Sequence, residues 1–324
     1  MPDVIFIDRR RSDAAPSMHC AVWSLLQRSG PFNGLHTGIR LYLERRHDDM
    51  VIGVRPYRPD PPLIDRTKMS ETASHLLTER RGAIAIVTIN RPAKRNALNE
   101  DLWRQLKKTF EDFEPEVRAV VLTGAGPHFC AGLDLTEHRH RQPFDSIAMS
   151  RLGHATCEAI QFGGRPVVAA MPGAVIGGGL EIAAATHVRV ADTTTFYQLP
   201  EGRRGFYVGG GASVSVSRII GSGRMIEMML TGRVIDAAAG ERIGLSHYVV
   251  EAGKTLEKAI ELAEVVAKNA RIPNYLIIQA IPRIEKMASA EGLWTESVAQ
   301  AISLTSEDAR AGIDAFLKKQ KIEF

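Results

Sequence analysis

The most informative stretch of the sequence is Gly173-Ala174-Val175-Ile176-Gly177-Gly178-Gly179-Leu180-Glu181-Ile182-Ala183. Its pattern predicts a short strand that passes through a glycine corner into a small apolar helix. The first turn of a helix leaves backbone N–H groups unpaired and carries the positive end of the helix dipole, so it stabilises negative charge. Because glycine has no Cβ, a ligand can approach this backbone closely. The stretch therefore predicts a site where main-chain N–H groups meet a developing negative oxygen.

Glu181 is the unusual residue of this stretch, because it lies between Leu180 and Ile182 in an apolar, alanine-rich segment. A buried carboxyl group needs hydrogen-bond partners or a raised pKa, and such groups are concentrated at functional sites. Two further glycine-rich segments belong with it: residues 129–135, and residues 196–211, which contain Glu201 and the run Gly209-Gly210-Gly211. Each segment alone is a weak signal, since glycine-rich turns are common.

Around these segments the chain alternates predicted strands and helices. Short apolar runs typical of buried strands occupy residues 83–89, 119–123 and 167–170, and Val188-Arg189-Val190 continues the series. Asn99 can cap a helix whose apolar side chains recur at intervals of three or four, namely Leu102, Leu106, Phe110 and Phe113. Beyond residue 211 the pattern is helical, over residues 224–230, 255–269, 272–287 and 307–319. This order predicts the α/β class, with a helical C-terminal region.

The composition excludes several other classes of protein. The 324 residues carry 41 basic and 37 acidic side chains, and the basic ones form no stripe, so we expect no nucleic-acid partner. Three cysteines are too few for a disulfide framework, which favours a reducing, cytoplasmic setting. The N-terminus lacks the pattern of a signal peptide. The most apolar stretch, Val167–Thr186, contains Pro172 and Glu181, so we expect no membrane span.

Residues 1–68 differ from the rest of the chain. Four prolines fall within residues 55–65, and the segment has no sustained periodicity, which is typical of an irregular linker. We expect a poorly ordered or irregular extension over residues 1–68. A small accessory module is the alternative, with Ala21–Gln27 and Leu41–Val54 as its possible elements. Regular patterning begins at Met69.

Several other catalytic motifs are missing from the sequence. There is no Gly-x-Ser-x-Gly elbow of a serine hydrolase, and Gly173–Gly177 lacks the spacing of the dinucleotide fingerprint. Cys130 is interpreted as a small buried side chain, because no histidine is placed as its base. The run His138-Arg139-His140-Arg141 is interpreted as a basic loop that could meet phosphates, since its arginines would repel a metal cation. We expect no metal site.

Several segments must be taken together: Arg91–Leu98, Val121–Gly124 with Phe129–Asp134, Gly177–Glu181, Leu230–Arg233 and Ala315–Lys319. Each is modest alone, but their joint order resembles the hydratase branch of the enoyl-CoA hydratase/isomerase (crotonase) superfamily, over Met69–Phe324. The resemblance implies a spiral of ββα units that assembles as a homotrimer or homohexamer. It further implies a spiral core over residues 69–265 and a helical trimerisation region over residues 266–324.

The resemblance also implies acyl-CoA thioester substrates and a shared step that stabilises a thioester enolate. The backbone N–H groups of Leu133 and Gly178 would form the oxyanion hole, while Glu181 and Glu201 would hold one water and move protons. Gly209 would help to position that water. The implied CoA-binding residues are Lys94, Arg95, Ala97, Ala131, Phe316 and Lys319, of which the last two would reach a neighbouring subunit's CoA. For Lys319, an ordinary solvated lysine at a helix end is the alternative. No cofactor is implied beyond the CoA of the substrate.

These expectations favour hydration of a short- or medium-chain 2-enoyl-CoA. Two glutamates favour hydration over Δ3,Δ2-enoyl-CoA isomerisation, which needs one base. The sequence over residues 199–213 also resembles the methylthioacryloyl-CoA hydratase branch. Val208 replaces the family's usual proline, and the bulky, basic loop Gly202–Tyr207 leaves the shape of the acyl pocket open. A non-catalytic acyl-CoA- or RNA-binding protein is the alternative of another class, and the balanced charge argues against RNA.

Overall fold

The computed structural model describes residues 39–46, 49–56, 74–137 and 141–324, and the chain divides into two units between Thr72 and Ala73. In the first unit, strands β1 (Ile39–Arg46) and β2 (Asp49–Pro56) form an antiparallel hairpin. The possible element Leu41–Val54 coincides with this hairpin, whereas Ala21–Gln27 lies outside the described residues. Regular structure therefore occurs within the segment for which the sequence predicts an irregular extension.

The second unit is built on a six-stranded sheet. Its strands are β3 (Leu76–Arg81), β4 (Ile84–Ile89), β5 (Ala119–Gly124), β6 (Val167–Met171), β8 (Val188–Asp192) and β11 (Tyr248–Val250), in the order β11-β8-β6-β5-β4-β3. Strands β3 and β4 pair antiparallel across a turn at Gly82, whose φ of 58° favours glycine. The remaining neighbours run parallel. The buried strands predicted from the apolar runs are confirmed as β4, β5, β6 and β8.

A second, three-stranded sheet carries the glycine corner. Strand β7 (Ala174–Ile176) pairs in parallel with β9 (Phe196–Gln198), which pairs antiparallel with β10 (Ile235–Asp236). Strand β7 follows β6 after Pro172 and Gly173, and the chain then enters the next helix at Gly178. This small sheet therefore fixes the direction in which that helix begins.

Ten α-helices occur in the described part of the second unit. They are α1 (Glu100–Glu111), α2 (Pro143–Phe162), α3 (Gly178–Ala185), α4 (Ala212–Ile220), α5 (Ser222–Thr231), α6 (Ala237–Arg242), α7 (Thr255–Ala267), α8 (Arg271–Ile284), α9 (Ser289–Leu304) and α10 (Glu307–Leu317). The side chain of Asn99 caps α1 by accepting from the N–H of Leu102 at 3.0 Å, as predicted. The helices predicted beyond residue 211 are confirmed as α5, α7, α8 and α10. Within the described ranges, no helix combines the length and the apolar character that a membrane span requires.

The strands of the six-stranded sheet direct alternate side chains to opposite sides, and helices cover both faces. Ile86 and Val121 pack on one face against Ala259 and Ala263 of α7. The other face packs against α1 and α3. All eight residues of α3 are buried, so the one carboxyl group that α3 carries is held in the protein interior.

Candidate active site

Helix α3 begins at a backbone position that only glycine fills easily. Gly177, directly before α3, has a φ of 52°, in the left-handed region. A Cβ built on Gly177 would also lie 2.6 Å from Oε1 of Glu201. The glycine corner therefore allows the start of α3 and the Glu201 side chain to approach each other closely.

Glu181 lies in the first turn of α3 and is only 4% exposed. Its Oε1 accepts hydrogen bonds from the N–H of Gly210 at 2.7 Å and of Ala212 at 3.1 Å. Burial raises the pKa of Glu181, while these N–H groups and the nearby His154 act in the opposite direction. The buried carboxyl group thus has the partners that its sequence context demanded.

Glu201 follows β9 and directly precedes a 3₁₀ turn at Gly202–Arg204. It is 6% exposed, and its buried Oε2 has no hydrogen-bond partner among the described residues. Burial, followed by the negative charge of Glu181, raises the pKa of Glu201 to about 7. The fold therefore brings the two glutamates, twenty residues apart in sequence, within electrostatic reach of each other.

A change at Glu201 tests the raised pKa of this residue through stability. Its pKa in the folded protein is about 7 against an ordinary value of 4.5. The folded state therefore holds this proton more tightly, so the free energy of unfolding falls as pH rises from about 4.5 to about 7. Glu201→Gln removes that loss. At pH 8 its free energy of unfolding, measured by urea denaturation, should exceed the wild-type value by on the order of 2 kcal/mol. At pH 4 the advantage should vanish.

Glu158→Gln, the same change on an exposed glutamate of α2, is the matched control, and we expect it to follow the wild type at both pH values. An advantage of Glu201→Gln that stayed equal at pH 4 and pH 8 would contradict a raised pKa.

The segment Gly132–Leu133 lies against the start of α3. A Cβ built on Gly132 would lie 3.3 Å from the nitrogen of Gly178 and 2.8 Å from the carbonyl oxygen of Ile176. The carbonyl of Gly132 accepts from Leu98 N–H at 2.8 Å. Within the described residues, the N–H groups of Leu133 and Gly178 donate to no protein acceptor. Two free main-chain donors therefore occur on adjacent segments, the arrangement that binds a developing oxyanion.

A cavity of about 290 Å³ connects several of these groups. Leu133, Glu181 and Gly209 line it, together with Trp103 and Met149. The carbonyl of Gly209 accepts from Ser150 Oγ at 2.6 Å, and its N–H has no acceptor in the described ranges. Glu201 is not among the lining residues and lies instead beside Gly177. The cavity thus places a free N–H next to the Glu181 carboxyl group.

Comparison with known proteins decides the family. The family described as enoyl-CoA hydratase/isomerase matches residues 79–324. The chain belongs to this family. The enoyl-CoA hydratase EchA19 of Mycobacterium tuberculosis is 35% identical over 259 residues, which cover 78% of this chain and 97% of that protein. The short-chain-enoyl-CoA hydratase of Clostridium acetobutylicum is 34% identical over 253 residues, which cover 77% and 97%.

Solved structures agree with this assignment. A Rhodopseudomonas palustris protein, described as a candidate enoyl-CoA hydratase, has a TM-score of 0.74 and 44% identity, covering 76% of this chain and 95% of its own. The crotonase-type spiral with a helical C-terminal region, expected from the resemblance, is thereby confirmed.

Four of the predicted CoA-binding residues of this crotonase-family chain lie close together. Lys94 and Arg95 stand at the end of a 3₁₀ turn and are exposed. The carbonyl of Arg95 accepts from Ala131 N–H at 3.0 Å, and the carbonyl of Ala97 accepts from the Arg91 guanidinium. This loop therefore joins the basic residues to the segment that carries Leu133.

The other two predicted CoA-binding residues stand at the C-terminal end of the chain. Phe316 belongs to α10 and is 81% exposed, and Lys319 follows that helix. No described contact connects either residue to Glu181 or to its cavity within this chain. Their role at a neighbouring subunit's CoA stays a prediction.

Sequence reasoning missed several groups that shape the site. Gly210 and Ala212 hold Glu181 through backbone N–H groups, which leave no trace in residue type beyond the glycine run. Trp103 lines the cavity from α1. Arg141 also lines it and pairs with Glu100 at 2.8 Å, whereas His138–His140 lie outside the described residues. Cys130 is fully buried, and burial raises its pKa to about 12, so it is a structural side chain, as interpreted.

Proposed function

We propose that the protein adds water across the α,β double bond of a 2-enoyl-CoA thioester. The observation that carries this function is the pair of buried carboxyl groups, Glu181 and Glu201, beside two adjacent main-chain donors that have no acceptor within the described residues. Membership of the enoyl-CoA hydratase/isomerase family and the hydratases among its relatives support it.

The thioester oxygen would accept from the N–H groups of Leu133 and Gly178. As charge moves onto that oxygen, fixed donors stabilise it without reorganising, and each such donor lowers the barrier by about 2.7–4 kcal/mol. Backbone N–H groups suit this task because they cannot titrate. The polarised β-carbon then becomes open to attack by water.

Glu181 suits the role of base. Burial raises the pKa of Glu181 and so strengthens it as a base, while the N–H groups of Gly210 and Ala212 support the ionised form that takes one proton from the attacking water. The water oxygen bonds to the β-carbon while the π electrons move into the thioester enolate. The free N–H of Gly209, in the same cavity, would hold that water in line.

Glu201 suits the role of acid. With a pKa of about 7, and with no partner for Oε2 in the described part of the chain, it is partly protonated near neutral pH. It would deliver its proton to the α-carbon as the enolate collapses to the 3-hydroxyacyl thioester. Exchange with solvent then returns one proton to Glu201 and removes one from Glu181. Because every step is proton transfer or addition, the reaction requires no metal or cofactor beyond the CoA of the substrate.

The direct test is to supply 2-butenoyl-CoA and follow the loss of ultraviolet absorbance as the conjugated double bond is hydrated. We expect saturable loss and a 3-hydroxyacyl-CoA product by mass spectrometry. Conversion of a 3-enoyl-CoA alone, with no hydration of the 2-enoyl substrate, would point to the isomerase instead and would refute this function.

We also propose that the protein assembles as a homotrimer or homohexamer through its C-terminal helices. The support is a set of large apolar side chains exposed there, including Ile281, Leu293, Trp294 and Phe316. Leaving this much apolar surface in water is unfavourable for a monomer. Light scattering coupled to size exclusion should give three or six times the 35.5 kDa chain mass, and a monomer would contradict the assembly.

A further inference from the structure

The cavity of about 290 Å³ that Glu181 lines, here called the acyl cavity, has a neighbour. A second cavity of about 410 Å³ lies between α4 and α5, and Met225, Ile226 and Met229 contribute apolar side chains to it. Phe206 and Tyr207 line both cavities. These two aromatic residues therefore form a wall, with Glu181 and Leu133 on one side and an apolar space on the other.

The wall is held at both ends. On one side, a Cβ built on Gly202 would lie 2.7 Å from the carbonyl oxygen of Met229, so the chain packs tightly on α5 there. On the other, Gly210 donates to Glu181 at 2.7 Å. Between these anchors, Gly205 has a φ of 81°, and a Cβ built on it would meet nothing within 4 Å. The aromatic pair thus lies between one end that packs on α5 and another that is hydrogen-bonded to the Glu181 carboxyl group.

The size of the acyl cavity limits what fits on the reacting side. At about 290 Å³, the acyl cavity is smaller than the second cavity, at about 410 Å³. The attacking water, the thioester carbon and the conjugated double bond occupy part of that space. Only a short alkyl tail remains possible before it meets Phe206, which is 36% exposed and less open to solvent than Tyr207 at 68%.

We propose that Phe206 is a specificity-determining residue that ends the acyl site and restricts the enzyme to short 2-enoyl chains. Removing its ring should open the acyl cavity toward the second cavity, whose apolar lining suits an alkyl chain. This inference rests on the proposed hydratase function.

The experiment compares kcat/KM for 2-butenoyl-, 2-hexenoyl- and 2-decenoyl-CoA in the wild type and in Phe206→Ala. We expect the decenoyl-to-butenoyl ratio to rise by about tenfold or more in the variant, since a few methylenes in an apolar pocket are worth factors of this size. Phe206→Leu removes less of the ring and should give a smaller rise. Phe324→Ala, which changes a phenylalanine of similar exposure (37%) that lines neither cavity, should leave the ratio unchanged.

A second change tests the path of the tail. Ser217 lines the second cavity only, so Phe206→Ala with Ser217→Phe should refill that space and return the ratio toward the wild-type value. A folded Phe206→Ala that hydrates butenoyl-CoA with an unchanged ratio overturns the inference. So does a wild type that already accepts decenoyl-CoA as well as butenoyl-CoA. A wild type that hydrates no chain length refutes the function itself, which separates the two failures.

Discussion

Replacing Glu181 with glutamine lowers kcat for 2-butenoyl-CoA by about 10²- to 10⁴-fold, the range for a positioned acid or base. The amide oxygen of glutamine can still accept from the N–H groups of Gly210 and Ala212, so the side chain keeps its place. It can no longer take a proton from water. The loss should therefore appear in kcat far more than in KM. Steady-state kinetics with purified variant measures both.

The stability of this variant separates a chemical from a structural effect. Since an amide costs less to bury than a carboxylate, Glu181→Gln should unfold at or above the wild-type temperature. Glu158→Gln, the same change at an exposed position of α2, should keep the wild-type kcat. A folded Glu181→Gln that retained kcat within threefold of wild type would eliminate Glu181 as the base.

The sequence predicted those parts of the fold that depend on local pattern. Largely apolar runs located β4, β5 and β6, because most positions of a strand buried on both faces are apolar, and the valines on either side of Arg189 located β8. Three-or-four periodicity located α7 because one stripe of small residues packs on the sheet. Such patterns follow from burial alone, so they need no knowledge of distant neighbours.

Other elements left weaker signals. The sequence analysis did not predict helix α9. Gly292 is its one buried residue, and its exposed residues include Trp294 and Val298, so the sequence shows no separation into an apolar and a polar face. Strands β9 and β10 span three and two residues, too short for a period to be recognised. The hairpin at residues 39–56 lies in a segment interpreted mainly from its prolines.

In the candidate site too, some residues could be predicted from local pattern and others could not. Glu181 could be singled out locally, because a carboxyl group among alanines and leucines must be explained. Its approach to Glu201 could not be derived from spacing, since α3, β8 and β9 intervene, and only the family resemblance indicated it. Gly210 and Ala212 lie 29 and 31 residues from Glu181 in the sequence and contact it through backbone N–H groups. Because almost every residue type has such a group, the residue types at these positions do not reveal the contacts.

Gly210→Ala should lower kcat by about a hundredfold, although it replaces no side chain that reacts. A Cβ on Gly210 would overlap Oε2 of Glu181 and lie 2.8 Å from its Cδ. The carboxyl group must therefore move, and a displacement near 1 Å at a reacting group can cost about 10²-fold. Alanine can adopt the backbone conformation of Gly210, because its φ lies outside the left-handed region, so the expected effect comes from the Cβ alone.

Two measurements distinguish this steric effect from general damage. Gly223→Ala is the matched control, since a Cβ there meets nothing within 4 Å and alanine favours the helix α5 in which it lies, so kcat should stay at the wild-type value. In Gly210→Ala, the shorter side chain of Glu181→Asp would relieve the overlap and should restore thermal stability without restoring kcat, because an aspartate no longer reaches the water. Wild-type kcat in Gly210→Ala alone would show that the position of the Glu181 carboxyl group is not critical for hydration.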